Sequence, residues 1–176
     1  MVRVLRVTCF RLEASMEFSH LDEQGKAKMV DVSGKDITER TAIARGMISI
    51  KPEVIRMITD QKMPKGDVLA TARIAGIMSA KRTHELIPMC HPLALNYVSV
   101  DFKIENDHIK ITATVKVTGK TGVEMESLTA VSVAALTIYD MCKSMDKSMT
   151  ISQIQLEEKC GGRSGHYVRE KNDENS

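Results

Sequence analysis

Tryptophan is absent from the 176 residues, and three tyrosines and three phenylalanines supply every aromatic ring. So few flat side chains leave little for single-stranded bases to stack on. Neither sign of charge is in excess: 25 basic side chains face 23 acidic ones, a formal net charge of +2. Duplex binding draws on many cations that displace counterions, so these two shortages exclude a nucleic-acid partner. The four cysteines (Cys9, Cys90, Cys142, Cys160) are far apart and form no CxxC pair. That excludes a zinc knuckle or a thioredoxin-type site and predicts reduced thiols. No apolar run approaches the roughly 20 residues of a membrane span. The expectation is a cytoplasmic protein with neither nucleic acid nor membrane as partner.

What is present is ordinary for a globular chain, 43% apolar and 27% charged. This length can bury the core of one domain without disulfide or metal staples. Residues 1–15 read as an N-terminal extension of doubtful relevance, because Arg6 and Arg11 interrupt any apolar signal region and Met16 opens a segment that resembles a natural start. Residues 171–176 read as a disordered tail. A single catalytic domain over 16–170 is expected between them.

Ala42, Ala44, Ile48 and Ile50 recur at period two and predict a strand over Arg40–Ile50. Pro52 suits the first turn of a short helix reaching about Asp60, and Gln61–Gly66 is a loop. Asp67 predicts the N-cap of a helix through Val68–Ala80. Pro88 and Pro92 break any helix across Ile87–Leu93. Val98, Val100, Phe102 and Ile104, then Ile109, Ile111, Ala113, Val115 and Val117, alternate about a turn at Glu105–Asp107 and predict a hairpin. Thr118–Gly122 reads as a turn before a long apolar helix, Glu124–Lys143. A last strand, about Met149–Leu156, loses its alternation at Ser152–Gln153 and predicts a bulge there. The order β-α-β-β-α-β with an extra helix predicts an α+β fold, a ferredoxin-like sandwich on an antiparallel sheet. Its Met-rich apolar faces predict burial in an oligomer.

Several short polar segments bear on chemistry. Lys65-Gly66-Asp67 at a helix start reads either as a phosphate cradle or as a capped helix with a solvated lysine. Lys81-Arg82 lead into Met89-Cys90-His91-Pro92. There His91 has an imidazole suited to phosphate or to a proton near neutral pH, and Cys90 reads as a small buried hydrophobe. Thr121 and Glu124 match a capping box, whereas Glu126 has no such structural reason to be acidic. Asp140 and Lys143 read either as a surface ion pair or, if buried on this apolar helix, as a coupled acid–base pair. Glu126 and Asp140 lie about 14 residues apart on one helix, about 21 Å at 1.5 Å per residue. One small substrate cannot touch both within one chain, so a site that uses both must join subunits. Lys159-Cys160-Gly161-Gly162-Arg163-Ser164-Gly165 reads as a basic glycine-rich tail, either flexible or closing over an anion.

Together these segments resemble the cyclic pyranopterin monophosphate synthases, the molybdenum cofactor biosynthesis protein C family. The resemblance is carried by MVDVSGK (Met29–Lys35), KGDVLATARIAGI (Lys65–Ile77), KRTHELIPMCHPL (Lys81–Leu93), TGKTGVEMESLTAVSVAALTIYDMCK (Thr118–Lys143) and GGRSG (Gly161–Gly165), and it covers about Met16–Glu170. It implies a lyase that converts (8S)-3',8-cyclo-7,8-dihydroguanosine 5'-triphosphate to cyclic pyranopterin monophosphate and releases diphosphate. It also implies a homohexamer, a trimer of dimers, with sites at subunit interfaces. Carried over by motif position, Asp140 and Lys143 are catalytic. Met89, Cys90, His91, Met125 and Glu126 bind substrate, and Lys65, Lys159, Arg40 and Glu124 line the pocket. No cofactor is required on this reading, magnesium is neither demanded nor excluded, and no metal ligands are assigned. The departures are Arg163 where a lysine is common and His84 where an aromatic residue stands.

Two other classes compete. A non-catalytic nucleotide-binding oligomeric module has little use for an acid–base pair such as Asp140 and Lys143. A metal hydrolase built on His91 and Cys90 lacks ligands at suitable spacing.

Overall fold

The computed structural model describes residues 24–163 and 165–170. The expected extension at 1–15 and tail at 171–176 lie outside the described residues. The chain divides after Val30 into two units, and every helix and strand named below belongs to the second, which begins at Asp31.

Strand β1 (Thr38–Ser49) is the centre of a five-stranded sheet. It pairs antiparallel with β3 (His108–Gly119) along its whole length, from Thr38 opposite Gly119 to Ser49 opposite His108. Strand β2 (Tyr97–Ile104) closes the expected hairpin with β3. On the other side β1 pairs with β4 (Thr150–Cys160), and β4 with a two-residue β5 (Tyr167–Val168). The order is β2-β3-β1-β4-β5, and every pairing is antiparallel.

Between β1 and β2 run α1 (Pro52–Thr59), α2 (Val68–Ala80) and a single turn, α3 (Thr83–Leu86). Pro52 opens α1, as its fixed φ and missing N–H allow. Asp67 caps α2, its Oδ1 accepting from the Ala70 N–H at 2.9 Å. The long helix α4 (Glu124–Cys142) joins β3 to β4.

Alternation along β1 and β3 sends Ala44, Ile48, Ile109, Ile111 and Ala113 beneath α4, where all are fully buried. Val131, Ala135 and Ile138 of α4 meet them in one core with Val100 of β2. Ala42 is buried in a smaller cluster with Val115, Val117 and Val123. Complete burial of a Val or Ile side chain is worth about 1.5–3 kcal/mol. The opposite face carries Arg45, Lys110 and Lys116, with Arg45 Nε 2.9 Å from Glu157.

Two close approaches set the layer spacing. A Cβ on Gly76 of α2 would lie 2.9 Å from the Ala130 carbonyl of α4, so the helices meet backbone to backbone. A Cβ on Gly46 would lie 2.6 Å from Val131 Cγ1 and 3.2 Å from Ile154 Cγ1. Opposite Gly46 stands the expected bulge: Ser152 pairs with Met47 and Gln155 with Arg45, and Gln153 takes a φ of 52° between them.

The structure corrects three boundaries. The turn expected at Thr118–Gly122 begins later, since β3 runs to Gly119. The last strand does not stop at Leu156 but reaches Cys160, and β5 pairs with its end. The helix content exceeds one extra helix, because α3 adds a turn after α2. Among the described residues no helix is long and apolar enough to cross a membrane.

Candidate active site

Helix α4 begins one residue after Val123, which is its N-cap and offers no side-chain bond. Thr121 therefore cannot cap it, and the expected Thr121–Glu124 capping box is not formed. Glu124, freed from that role, receives the Lys159 Nζ at 2.9 Å from the end of β4. A Cβ on Gly122 would fall on the Glu124 carboxylate, 2.7 Å from its Cδ, so a larger residue there would push that side chain from its present position.

Around this pair lies a hollow of about 190 Å³ lined by Lys35, Arg40, Lys120, Lys159, Glu124 and Gly161, among others. Four cations thus face one carboxylate. Arg40 Nε donates to the Gly119 carbonyl at 3.0 Å, and Lys120 Nζ donates to the Ser33 carbonyl at 2.6 Å. Lys35 and Lys120 were not singled out by their sequence context, although both end or interrupt glycine-containing turns (Ser33-Gly34-Lys35 and Gly119-Lys120). A lysine beside glycine in a turn was the available signal. A hollow of this charge is suited to a polyanion.

Glu126, two residues along α4, is only 4% exposed. Burial pushes its carboxyl up to about 7 from 4.5, and the charge of Glu124 adds to the rise, against a lowering bond from its own backbone N–H. Burial also raises the Cys90 thiol, with the Glu126 charge as the second cause. Cys90 therefore feels the charge at the start of α4. Cys90 N–H donates to the Ile87 carbonyl at 3.0 Å, and Met89, Cys90 and His91 are all half-buried. Met125 is 37% exposed at the same helix end.

The other end of α4 carries a second cluster. Lys65, in the loop before α2, donates through Nζ to Asp140 Oδ2 and to the Asp140 carbonyl, both at 2.9 Å. Lys143 Nζ lies 2.6 Å from Asp140 Oδ1. Both oxygens of one carboxylate therefore face ammonium groups. The hydrogen bond from Lys143, then that from Lys65, holds the Asp140 carboxyl down at about 2, and Asp140 in turn raises the Lys143 ammonium. The pair is not buried in the chain: the side chains of Lys65, Asp140 and Lys143 are 46%, 57% and 54% exposed. As the cluster stands, Asp140 is an anion and Lys143 a cation, and their pairing makes the one a weaker base and the other a weaker acid than the free side chains.

The residues singled out by sequence thus fall into two sets. Arg40, Glu124, Met125, Glu126 and Lys159 gather at the first turn of α4, and Cys90, between Met89 and His91 in the chain, feels the Glu126 charge there; Lys65, Asp140 and Lys143 gather at its last turn. Glu126 and Asp140 do stand on one continuous helix, so about 21 Å separates them along its axis. Among the described residues no group of three or more His, Cys, Asp or Glu side chains is placed to hold a metal ion.

Comparison with known proteins gives a consistent relationship. Residues 29–162 match the model of the MoaC family. A cyclic pyranopterin monophosphate synthase of Desulfatibacillum aliphaticivorans is 62% identical over 156 residues, covering 88% of this chain and 98% of the relative. One from Peptoclostridium acidaminophilum is 58% identical over 155 residues, 88% of this chain and 99% of the relative. Cyclic pyranopterin monophosphate synthase 1 of Mycobacterium bovis is 58% identical over 163 residues, 92% of this chain and 96% of the relative.

Proposed function

The chain belongs to the MoaC family, and from that membership we propose that it works as a cyclic pyranopterin monophosphate synthase in molybdenum cofactor biosynthesis. It converts (8S)-3',8-cyclo-7,8-dihydroguanosine 5'-triphosphate to cyclic pyranopterin monophosphate and diphosphate. The observation that carries the reading of the site is the hollow at the start of α4, where Lys35, Arg40, Lys120 and Lys159 surround Glu124. A triphosphate brings several negative charges that such donors offset, each charged hydrogen bond contributing roughly 1.5–3 kcal/mol. Closing the cyclic phosphate joins a sugar hydroxyl oxygen to the inner phosphorus as the bond to diphosphate breaks. The hydroxyl proton goes to a base, and cations take up the charge of the leaving diphosphate. Asp140 and Lys143 are the acid–base pair for the ring rearrangement; no resident cofactor is needed, and the reaction is placed in the cytoplasm. A turnover assay with product analysis separates this reading from a nucleotide-binding module, which would bind and release the triphosphate unchanged.

The working unit is proposed to be a homohexamer, a trimer of dimers of ferredoxin-like subunits, formed from one domain over 16–170. The strand order β2-β3-β1-β4 with intervening helices supports the fold label. Exposed Ile74, Met78 and Leu136 on α2 and α4 supply apolar surface for assembly. The separation of Glu126 from Asp140 supports a site completed by two subunits, the start of α4 from one and its end from another. Mixing Glu126→Gln with Asp140→Asn subunits tests this. Each variant alone should be inactive, and random assortment should restore about a quarter of the sites, because half the subunits supply each wild-type end. Mixed oligomers, verified by mass, that stay inactive would refute the shared site.

A further inference from the structure

Resting on that reading of Arg40 as an anion-binding residue, we propose that the diglycine turn after β4 sets the position of the Arg40 guanidinium, with Gly162 as a positioning residue for recognition of the substrate's phosphates. Strand β4 ends at Cys160, and the next two residues take left-handed backbone, Gly161 at φ 96° and Gly162 at φ 71°. The turn thereby folds back across the start of β1. A Cβ on Gly161 would fall on the Glu39 carbonyl, which is backbone and cannot yield. A Cβ on Gly162 would fall on the Arg40 guanidinium, 2.6 Å from Cζ and 2.9 Å from Nη2. On its other side Arg40 is held by Nε donating to the Gly119 carbonyl at 3.0 Å. The guanidinium is therefore confined between a β3 carbonyl and the bare Cα of Gly162.

That confinement places Arg40 where it can serve. It lines the hollow with Lys120 and Lys159, a second of about 270 Å³ with Lys35 and Arg163, and a third of about 300 Å³ with Tyr97 and Lys116. An arginine held in one rotamer before the anion arrives loses less freedom on binding than one that must be ordered then. A methyl at 162 would meet only the far end of a flexible side chain, so the chain can still fold while the guanidinium moves. Gly161→Ala would strike backbone instead and is not an informative probe.

Gly165 supplies the matched control. Its φ is 66°, close to that of Gly162, but a Cβ there would meet nothing within 4 Å. Both Gly→Ala changes carry the same left-handed strain; only one displaces Arg40. The experiment titrates inorganic diphosphate into the full-length protein and its Gly162→Ala, Gly165→Ala, Arg40→Ala and Arg40→Ala/Gly162→Ala variants. Thermal denaturation checks that the two glycine variants lose stability alike. Expected are a Kd raised at least tenfold by Arg40→Ala, as for one charged hydrogen bond, and about tenfold by Gly162→Ala, and one within twofold of wild type for Gly165→Ala. The double variant should match Arg40→Ala alone, since Gly162 acts through Arg40. If Gly162→Ala does not fold, Gly162→Asn, which tolerates left-handed backbone, takes its place with the same expectations. A Gly162→Ala chain that binds like Gly165→Ala, or whose effect multiplies that of Arg40→Ala, overturns the positioning role. An unchanged Kd in Arg40→Ala overturns instead the anion-binding role of Arg40 on which the inference stands.

Discussion

Glu126→Gln separates what this chain needs to fold from what it needs to act. The Glu126 carboxyl is 4% exposed and rises from 4.5 to about 7 because burial disfavours its charge. A raised carboxyl binds its proton more tightly in the folded chain than in the unfolded one. The stabilisation from that proton is fully present below pH 4.5 and is lost as the pH climbs through about 7. The interval between those values corresponds to about 3 kcal/mol, at about 1.36 kcal/mol per pH unit. Glutamine keeps the shape and the acceptor for the backbone N–H but has no charge to bury. Urea unfolding at fixed protomer concentration should therefore show the stability difference between the Glu126→Gln variant and wild type grow in the variant's favour by about 3 kcal/mol from about pH 4.5 to about pH 8. Turnover should be lost at both. A stability difference that does not change with pH would show that Glu126 is not a desolvated carboxyl in the folded protein. A variant with full turnover would show that its carboxyl is not used.

Asp140→Asn and Lys143→Ala should each abolish pterin formation while circular dichroism is unchanged, because both side chains are half exposed and neither packs in the core. Near wild-type turnover in either removes that residue from the catalytic pair. His91→Ala and Lys65→Ala should each weaken binding of a non-reactive substrate analogue about tenfold to a hundredfold by calorimetry; unchanged affinity in both would end the phosphate role given to them.

Local pattern accounts for the part of the fold that was legible. Strict alternation marked the β2–β3 hairpin, Pro52 and Asp67 marked two helix starts, and the slipped alternation at Ser152–Gln153 marked the bulge. The end of β4 was not legible because Glu157, Glu158 and Lys159 resemble a polar tail. They are strand because β1 and β5 pair with Glu158 and Lys159 on either side, with Glu157 at a register shift against β1, a long-range cause that no local period records. Thr121–Glu124 had the spacing of a capping box but the helix starts at Glu124 with Val123 as its N-cap, two residues too late for Thr121 to cap it. The site residues were legible as a set of polar motifs in an apolar chain; their grouping was not. Lys159 meets Glu124 and Lys65 meets Asp140 across 35 and 75 residues of sequence.

The two carboxylates of α4 stand against the preference of the helix that carries them. The positive N-terminal end should favour an ionised Glu126, by about 0.3–1 kcal/mol, and the negative C-terminal end should disfavour an ionised Asp140. The opposite holds: Glu126 is pushed up to about 7 and Asp140 down to about 2. Desolvation at one end and two ammonium groups at the other outweigh the dipole, so local surroundings set both proton states. Between its ends α4 carries no Asp, Glu, Lys or Arg: Gly76 against Ala130 and Gly46 against Val131 close its packed face, and the stretch from Ser127 to Tyr139 is otherwise apolar or hydroxyl-bearing. Its charged groups therefore stand at the two ends, and each end has a different proton state at neutral pH. A carboxyl that exchanges its proton near pH 7 and one that stays ionised are the complementary halves that acid–base chemistry uses. A rigid helix of this length keeps them apart within a subunit, so bringing them to one substrate requires the start of one α4 to face the end of another.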